Sequence, residues 1–208
     1  VTGVQTCALP ISIFSHIGFP AYMKPYAGGG WKHVYKIRNA EELYSKHQET
    51  GTLVMLLQEE IIFEDYFRCY CLGRKYVRIM QYEPRNPHHL RYQSNNGPAS
   101  EKLLKKVHDY VLDLCNALGY DFNTVEMAVR NGVPYAIDFC NPAPDAEVTS
   151  VGQENFDWVV EHASKMAVER AGGTVFGVHR DPSQISNERM AAAAAWVVNF
   201  ITSGAWAD

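Results

Sequence analysis

The chain has 208 residues, of which 47% are apolar and 20% are charged, an ordinary balance for a soluble globular protein. This length suits one domain, or one domain with a small lobe. Its formal net charge of −4 gives no case for binding nucleic acid or an anionic membrane surface. The longest apolar run, Met190–Thr202, is shorter than the about 20 residues that a membrane-spanning helix needs. We therefore expect no nucleic-acid or membrane partner.

The first eleven residues, Val1–Ile11, resemble the translation of a sequencing-library adapter joined in frame to a gene. They have no periodic pattern and no positively charged start, so they do not predict a signal peptide. We interpret residues 1–11 as an artefact and expect the rest to be a fragment that lacks an N-terminal part. Whether the alanine-rich end after Met190 is native is left open.

Four cysteines lie outside that segment: Cys69, Cys71, Cys115 and Cys140. None has CxxC spacing or a histidine at zinc-ligand spacing. We therefore predict that these cysteines are reduced thiols that pack in the interior of a cytoplasmic protein.

The first elements predicted along the chain are short strands at Ala21–Lys24 and Trp31–Ile37, joined by a hairpin-like loop with the sequence YAGGG. A helix is predicted at Glu41–Glu49, and a strand at Thr52–Ile62 follows a glycine turn.

Two further strands, Phe67–Leu72 and Lys75–Tyr82, flank a hairpin signal at Gly73 and Arg74. Ser100 is the predicted N-cap of the next helix. Apolar residues recur at helical spacing after it until Gly119 ends the pattern.

Strands at Val125–Val129 and Val133–Phe139 flank an Asn-Gly turn, the strongest hairpin signal in the chain. A last helix is predicted at Asn155–Arg170. Adjacent strands meet through tight turns rather than helical crossovers, which predicts an α+β fold with mostly antiparallel sheets. The phosphate-binding patterns GxGxxG and GxxxxGK[ST] are absent, which argues against a Rossmann or P-loop protein.

The segment YAIDFCNPAPD combines an apolar strand pattern with Asp138 and Asn141, and Pro142 interrupts it at once. One interpretation is a turn, for which Asn-Pro is a common dipeptide. The other is a site for a hard cation, because Mg²⁺ prefers oxygen ligands such as these.

Four stretches occur in a characteristic order: FPAYMKPYAGGGWKHV, LLQEEI, FRCYCLGRKYV and VEMAVRNGVPYAIDFCNPAPD. From Ile17 to about Arg170 they resemble the ATP-grasp superfamily, most closely the branch of glutathione synthetase and the ribosomal-protein glutamate ligases. The resemblance implies two α+β lobes with mostly antiparallel sheets that enclose a nucleotide site. It implies a partial small lobe at residues 12–57, a large lobe at 58–175 and an extension of uncertain structure at 176–208.

The resemblance assigns Lys24 to the α- and β-phosphates of ATP. It assigns Gly28, Gly29 and Gly30 to a loop that closes over the phosphates, where glycine lets backbone N–H groups approach them. The alternatives are a surface lysine and a mobile hairpin.

The segment from Gln58 to Ile61 resembles the hinge whose backbone reads adenine, with Glu59 as the side-chain contributor. The alternative is a pair of solvated acids at a sheet edge. In related sequences an acid further along holds the ribose hydroxyls; here the matching place is Tyr66, with Asp65 beside it.

The metal ligands implied by the resemblance are Glu126, Asp138 and Asn141, which would hold two Mg²⁺ ions together with ATP. The usual spacing is acid-x-Asn, but here one more residue separates the two, so a regular strand would point them to opposite faces. A bulge at Phe139–Cys140 would restore convergence; alternatively, Asp145 replaces Asp138.

Arg68 is assigned to catalysis, where a cation stabilises charge on the transferred phosphate or acyl phosphate. The alternative is a structural ion pair with a strand glutamate. Arg85 or Arg91, in the loop Pro84–Tyr92, is a further candidate for contact with an anionic substrate.

The resemblance thus implies an ATP-dependent carboxylate–amine ligase that acts through an acyl phosphate, with ATP and Mg²⁺ as cofactors. Its partners would be a small-molecule or peptide carboxylate and an amine acceptor. As a fragment it could be inactive. The second interpretation is a non-catalytic nucleotide-binding module with the same fold.

Overall fold

The computed structural model describes residues 16–28, 30–92 and 97–170, together with the backbone of residues 174–175 and 178–179. The chain divides into two compact units between Ile62 and Phe63, whereas the sequence placed this boundary between residues 57 and 58. The predicted artefact at residues 1–11, the run Met190–Thr202 and most of the predicted extension lie outside the described residues. No helix in the described part of the chain is long and apolar enough to cross a membrane.

The first unit contains a three-stranded antiparallel sheet with the order β2-β1-β3. Its elements are β1 (Ala21–Pro25), β2 (Tyr35–Ile37), helix α1 (Ala40–Glu49) and β3 (Met55–Glu59). Asn39 caps the helix, because its Oδ1 accepts a hydrogen bond of 2.8 Å from the Glu42 N–H.

Two predicted strands of this unit are shorter than the sequence suggested. The prediction of a strand from Trp31 was wrong, because Trp31 and His33 have φ values of 63° and 59°, in the left-handed region that extended backbone excludes. The prediction of Thr52–Ile62 was also too long. Its strand can pair only along the length of β1, from Met55 opposite Pro25 to Glu59 opposite Ala21.

The second unit contains a four-stranded antiparallel sheet with the order β5-β4-β6-β7. Its strands are β4 (Asp65–Leu72), β5 (Tyr76–Gln81), β6 (Phe122–Arg130) and β7 (Val133–Asn141). The helices are α2 (Glu101–Leu118), α3 (Val148–Val151) and α4 (Gln153–Arg170). A 3₁₀ turn at His88–Leu90 and a two-stranded sheet of β8 (Thr174–Val175) and β9 (Val178–His179) complete it.

Several local predictions for this unit are confirmed. The Ser100 hydroxyl accepts a 3.3 Å hydrogen bond from the Leu103 N–H at the start of α2. Gly119 ends that helix in the left-handed conformation, with φ 76°. Asn131 and Gly132 form the β6–β7 turn with φ values of 54° and 69°, as a two-residue hairpin with two positive φ values requires.

Helix α2 packs against one face of the four-stranded sheet. The core on this face is built by nine buried residues: Phe67, Cys69, Cys71, Val107, Val111, Cys115, Val125, Met127 and Val129. Leu118, the last apolar residue of the predicted helical pattern, is 43% exposed at the end of the helix. The described cysteines are free, and burial raises the pKa of the Cys69 thiol. The prediction of a packing role was wrong for Cys140, which is exposed on β7.

The opposite face of this sheet carries polar side chains. Because successive strand residues alternate between faces, Tyr66, Arg68 and Tyr70 on β4 point away from α2. Glu126 on β6 does the same. Helices α3 and α4 pack over part of this face, where Val151 and Val159 join Tyr70 and Met80 in a second apolar cluster.

Candidate functional site

In the first unit, Lys24 is the penultimate residue of β1 and pairs with Leu56 of β3. The glycine run begins shortly after the end of this strand. Gly28 and Gly30 have φ values of 143° and 64°, which side-chain-bearing residues rarely adopt. Gly29 lies outside the described residues. This unit therefore presents a cation at a strand end followed by a glycine loop.

The predicted hinge residues lie at the end of β3. Gln58 pairs with Tyr22, and Glu59, the exposed last residue of the strand, pairs with Ala21. Ile61 follows the strand without belonging to it. Glu60 accepts a 2.6 Å hydrogen bond from Lys36, so this acid has a structural partner within the first unit.

In the second unit, Arg68 on β4 lies directly opposite Glu126 on β6. The Arg68 Nη1 is 3.7 Å from the Glu126 Oε1, and the two side chains are only 12% and 19% exposed. The guanidinium also lies 5.7 Å from the centre of the Tyr82 ring. The ion pair that the sequence offered as an alternative for Arg68 is therefore present.

Asp138 continues this row, since it pairs with Glu126 across β6 and β7. Asn141 pairs with Thr124, so two steps along β6 correspond to three steps along β7. One residue of β7 is thus extra, and this register shift is the bulge that the sequence called for between Asp138 and Asn141. A second shift follows between Glu126 and Met127. Thr124 and Glu126 lie on the same face of the sheet. The bulge places Asn141 opposite Thr124 and Asp138 opposite Glu126.

The fully buried Asn123 holds this bulge. Its Nδ2 donates a 2.8 Å hydrogen bond to the carbonyl of Phe139, and its Oδ1 accepts one of 2.8 Å from the Asn141 N–H. The side chain thus binds the backbone on both sides of Cys140. Sequence reasoning missed this residue, although an amide inside the apolar run FNTVEMAV was a signal for it.

Burial and neighbouring residues determine the pKa of Glu126. Burial raises the pKa of Glu126, and the nearby Asp138 carboxylate adds to this, while Arg68 and a hydrogen bond from Tyr66 oppose it. The Tyr66 hydroxyl donates at 2.6 Å to the Glu126 Oε2. Burial, together with the Glu126 charge, raises the pKa of Tyr66 well above its ordinary value, so the hydroxyl stays a donor at neutral pH.

Asp145, the alternative metal ligand, has local partners for both of its oxygens. Its Oδ1 accepts a 3.0 Å hydrogen bond from the Glu147 N–H, and its Oδ2 accepts one from the Ser150 hydroxyl. Its backbone carbonyl accepts from the Tyr70 hydroxyl. The carboxylate therefore supports the start of α3, and this favours Asp138 as the ligand.

The residues present fit magnesium. Mg²⁺ is usually bound by one or two carboxylates together with substrate phosphates and water, and Glu126, Asp138 and Asn141 supply two carboxylates and an amide. Among the described residues, no group of three or more His, Cys, Asp or Glu side chains is arranged to hold a metal. A site completed by phosphate oxygens does not need such a group.

The arginines of the loop after β5 are tied to that loop. Arg85 makes a hydrogen bond of 2.6 Å to Glu83 and lies 4.5 Å from the centre of the Phe63 ring. Arg91 donates to the carbonyl of Asn86 at 3.2 Å. Both arginines thus make structural contacts, and substrate contact by either stays a prediction.

No protein-family model matches the chain, and no curated protein matches it. Solved structures do match. D-alanine–D-alanine ligase from Bacillus anthracis, complexed with ATP, has a TM-score of 0.61 and 22% identity, covering 78% of this chain and 55% of that one. The D-alanine–D-alanine ligase from Coxiella burnetii has a TM-score of 0.59 and 13% identity, covering 74% and 47%.

N5-carboxyaminoimidazole ribonucleotide synthetase from Thermus thermophilus has a TM-score of 0.51 and 20% identity, covering 73% of this chain and 40% of that one. The chain therefore spans between 40% and 55% of the length of these three structures. At this level of identity the likeness concerns the fold. The chain has the ATP-grasp fold.

Proposed function

We propose that the chain belongs to an ATP-dependent carboxylate–amine ligase that acts through an acyl phosphate. The observation that carries this proposal is the row of Arg68, Glu126 and Asp138 across three neighbouring strands of an ATP-grasp sheet. The bulge in β7 adds Asn141 to it. A cation beside metal-ligand oxygens suits a reaction in which phosphate charge is neutralised and a phosphoryl group is transferred.

In the second unit, Glu126, Asp138 and Asn141 would hold magnesium. When bound, the metal supplies positive charge that neutralises phosphate oxygens. Arg68 would stabilise the negative charge that develops on the transferred phosphate or the acyl phosphate. Its burial and its contact with Glu126 keep the guanidinium in a fixed position.

In the first unit, Lys24 would bring a positive charge to the α- and β-phosphates. The backbone at Gly28 and Gly30 has the conformations that let N–H groups turn toward an anion. Gln58, Glu59 and Ile61 would contact the adenine base.

The chemistry requires no nucleophile from the protein. The carboxylate of a small molecule or peptide attacks the γ-phosphorus of ATP, and ADP leaves. An amine then attacks the acyl carbon and loses a proton, and inorganic phosphate leaves. The protein contributes positioning and charge neutralisation.

Calorimetry of the full chain with a non-hydrolysable ATP analogue, with and without Mg²⁺, tests the proposal. Magnesium-dependent binding is expected, and Lys24→Ala and Asp138→Asn should each weaken it by about tenfold or more, the usual effect of losing a contact with a charged group. Matched controls are Lys105→Ala and Asp109→Asn on helix α2, which packs on the other face of the sheet. Binding that neither site substitution weakens would contradict the proposal.

A non-catalytic nucleotide-binding module is the second candidate. Tyr66 favours it, because the place where related sequences carry a ribose-binding acid holds a tyrosine whose hydroxyl is bonded to Glu126. Phosphate release from ATP, measured with panels of carboxylates and amines, separates the two. Nucleotide binding without release under any combination would favour the module.

A further inference from the structure

The buried residue Tyr66 contacts the candidate metal ligand Glu126 directly. Its hydroxyl donates a 2.6 Å hydrogen bond to the Glu126 Oε2, and the residue is only 8% exposed. We infer that Tyr66 is a positioning residue that orients the Glu126 carboxylate for a divalent cation. This inference rests on the proposed function.

The position of the hydroxyl is fixed by ring packing. The Phe63 ring meets the Tyr66 ring edge-on with centroids 5.0 Å apart, and the Tyr82 ring lies 5.9 Å away. The backbone supports the same arrangement, because the Tyr82 N–H donates a 2.9 Å hydrogen bond to the Tyr66 carbonyl. Tyr66 can therefore impose an orientation on Glu126 rather than follow it.

The two oxygens of Glu126 have different neighbours on β4. Oε2 receives the hydroxyl of Tyr66, and Oε1 lies 3.7 Å from Nη1 of Arg68, two residues further along the same strand. An ionised carboxylate has about four acceptor positions. Two contacts from β4 leave acceptor positions for a cation while they restrict rotation of the carboxylate.

Such a hydrogen bond has a known effect on metal sites. A partner that orients a ligating group contributes roughly 10–100-fold to metal affinity without touching the metal. The expected consequence of losing the Tyr66 hydroxyl is therefore weaker use of magnesium, with little change in the apolar packing that the ring provides.

Tyr70 offers a matched control. It lies four residues further along β4 on the same face, it is buried, and its hydroxyl also makes a hydrogen bond. Its acceptor is the backbone carbonyl of Asp145 and not a carboxylate oxygen of Glu126, Asp138 or Asp145. Tyr66→Phe and Tyr70→Phe thus remove the same atom from neighbouring sites, and only the first frees Glu126.

The experiment titrates Mg²⁺ into the full chain with a fixed concentration of a non-hydrolysable ATP analogue and measures the magnesium concentration for half-maximal binding. Tyr66→Phe is expected to raise this concentration by about 10–100-fold, whereas Tyr70→Phe leaves it unchanged. Melting temperatures show whether each variant is folded. In a Glu126→Gln background, Tyr66→Phe should produce no further change, because the group through which it acts is gone.

The outcomes separate the inference from the proposed function. If the unsubstituted chain binds the analogue without any dependence on magnesium, or does not bind it, both are overturned. If binding depends on magnesium but Tyr66→Phe behaves like Tyr70→Phe, only the inference is overturned. A Tyr66→Phe effect of equal size in the Glu126→Gln background would also overturn it, because the tyrosine would then act by another route.

Discussion

The amide group of Asn123 fixes the backbone of Asn141, whose N–H donates a 2.8 Å hydrogen bond to the Asn123 Oδ1. The other end of the same amide donates to the carbonyl of Phe139 at 2.8 Å. One buried side chain of β6 therefore binds the backbone of β7 on both sides of the extra residue. The arrangement of Asp138 and Asn141 depends on a residue that is not itself a candidate ligand.

Replacement of Asn123 by alanine is expected to destabilise the protein. It would remove two hydrogen bonds to the part-buried backbone of Phe139 and Asn141, which costs about 1–3 kcal/mol in the free energy of unfolding. The bulge would lose its support, so the magnesium dependence of nucleotide binding should weaken as well. Urea denaturation and the magnesium titration measure the two effects.

Asn155→Ala is the control for this prediction. Asn155 also uses both ends of its amide, since it donates to the Val151 carbonyl and accepts from Arg78. Its loss should reduce stability while leaving the magnesium dependence unchanged. If Asn123→Ala is as stable as the unsubstituted chain, the bulge does not depend on this side chain.

Asp145→Asn is predicted to affect stability rather than metal binding. Its carboxylate oxygens accept hydrogen bonds from the Glu147 N–H and the Ser150 hydroxyl near the start of α3. Asparagine keeps one acceptor oxygen, and losing the other hydrogen bond costs about 0.5–1.5 kcal/mol. Asp145→Asn should therefore lower the melting temperature without changing the magnesium requirement, whereas Asp138→Asn should raise the magnesium requirement with little change in melting temperature. An Asp145→Asn variant that needs more magnesium would restore Asp145 as a candidate ligand.

Removal of the Arg68 charge is expected to make stability more sensitive to pH. Arg68 is the strongest influence that holds down the raised pKa of Glu126, so Arg68→Met should raise that pKa further. A folded-state pKa above the unfolded value means that the folded state binds more protons in the window between them. The free energy of unfolding then falls as pH rises through that window.

Urea denaturation in the presence of EDTA measures this effect. The loss of stability in Arg68→Met relative to the unsubstituted chain is expected to be about 1–3 kcal/mol at pH 8, because a buried charge has lost its partner, and smaller at pH 4.5. Arg78→Met is the control, since its ion-pair partner Glu154 is 85% exposed; loss of such an ion pair costs about 0–1 kcal/mol, and loss of the hydrogen bond to Asn155 adds about 0.5–1.5 kcal/mol. An equal loss at both pH values for Arg68→Met would contradict the prediction.

Local signals predicted much of the second unit. Ser100 and Gly119 set the bounds of α2, and Asn131-Gly132 set the β6–β7 turn, because capping and turn chemistry depend on neighbouring residues. The bulge near Cys140 was one of two alternatives implied by the resemblance, because one residue more than the family's acid-x-Asn spacing conflicts with strand alternation. The first unit was harder to predict, because the residues around Trp31 and His33 do not distinguish left-handed backbone from a strand.

Contacts that depend on register were beyond the sequence. Asn123 and Asn141 are 18 positions apart, and Tyr66 and Glu126 are 60 positions apart. Each pair meets only because particular residues of β4, β6 and β7 lie opposite one another, and a shift of one residue would send every side chain of a strand to the other face. Candidate ligands can be recognised by type, whereas the residues that hold them are identified by the fold.

The last prediction concerns the turn between β4 and β5, which lies next to helix α4. Gly73 has φ 61°, and a Cβ there would lie 3.2 Å from Cγ of Met166 on α4, whereas Gly119, with φ 76°, has open space around it. Alanine at either position adopts a left-handed conformation that costs about 1–2 kcal/mol. Gly73→Ala should lower the free energy of unfolding by more than Gly119→Ala, because Met166 must also move. The excess should shrink in a Met166→Ala background, and equal losses at the two glycines would show that the Met166 contact imposes no constraint.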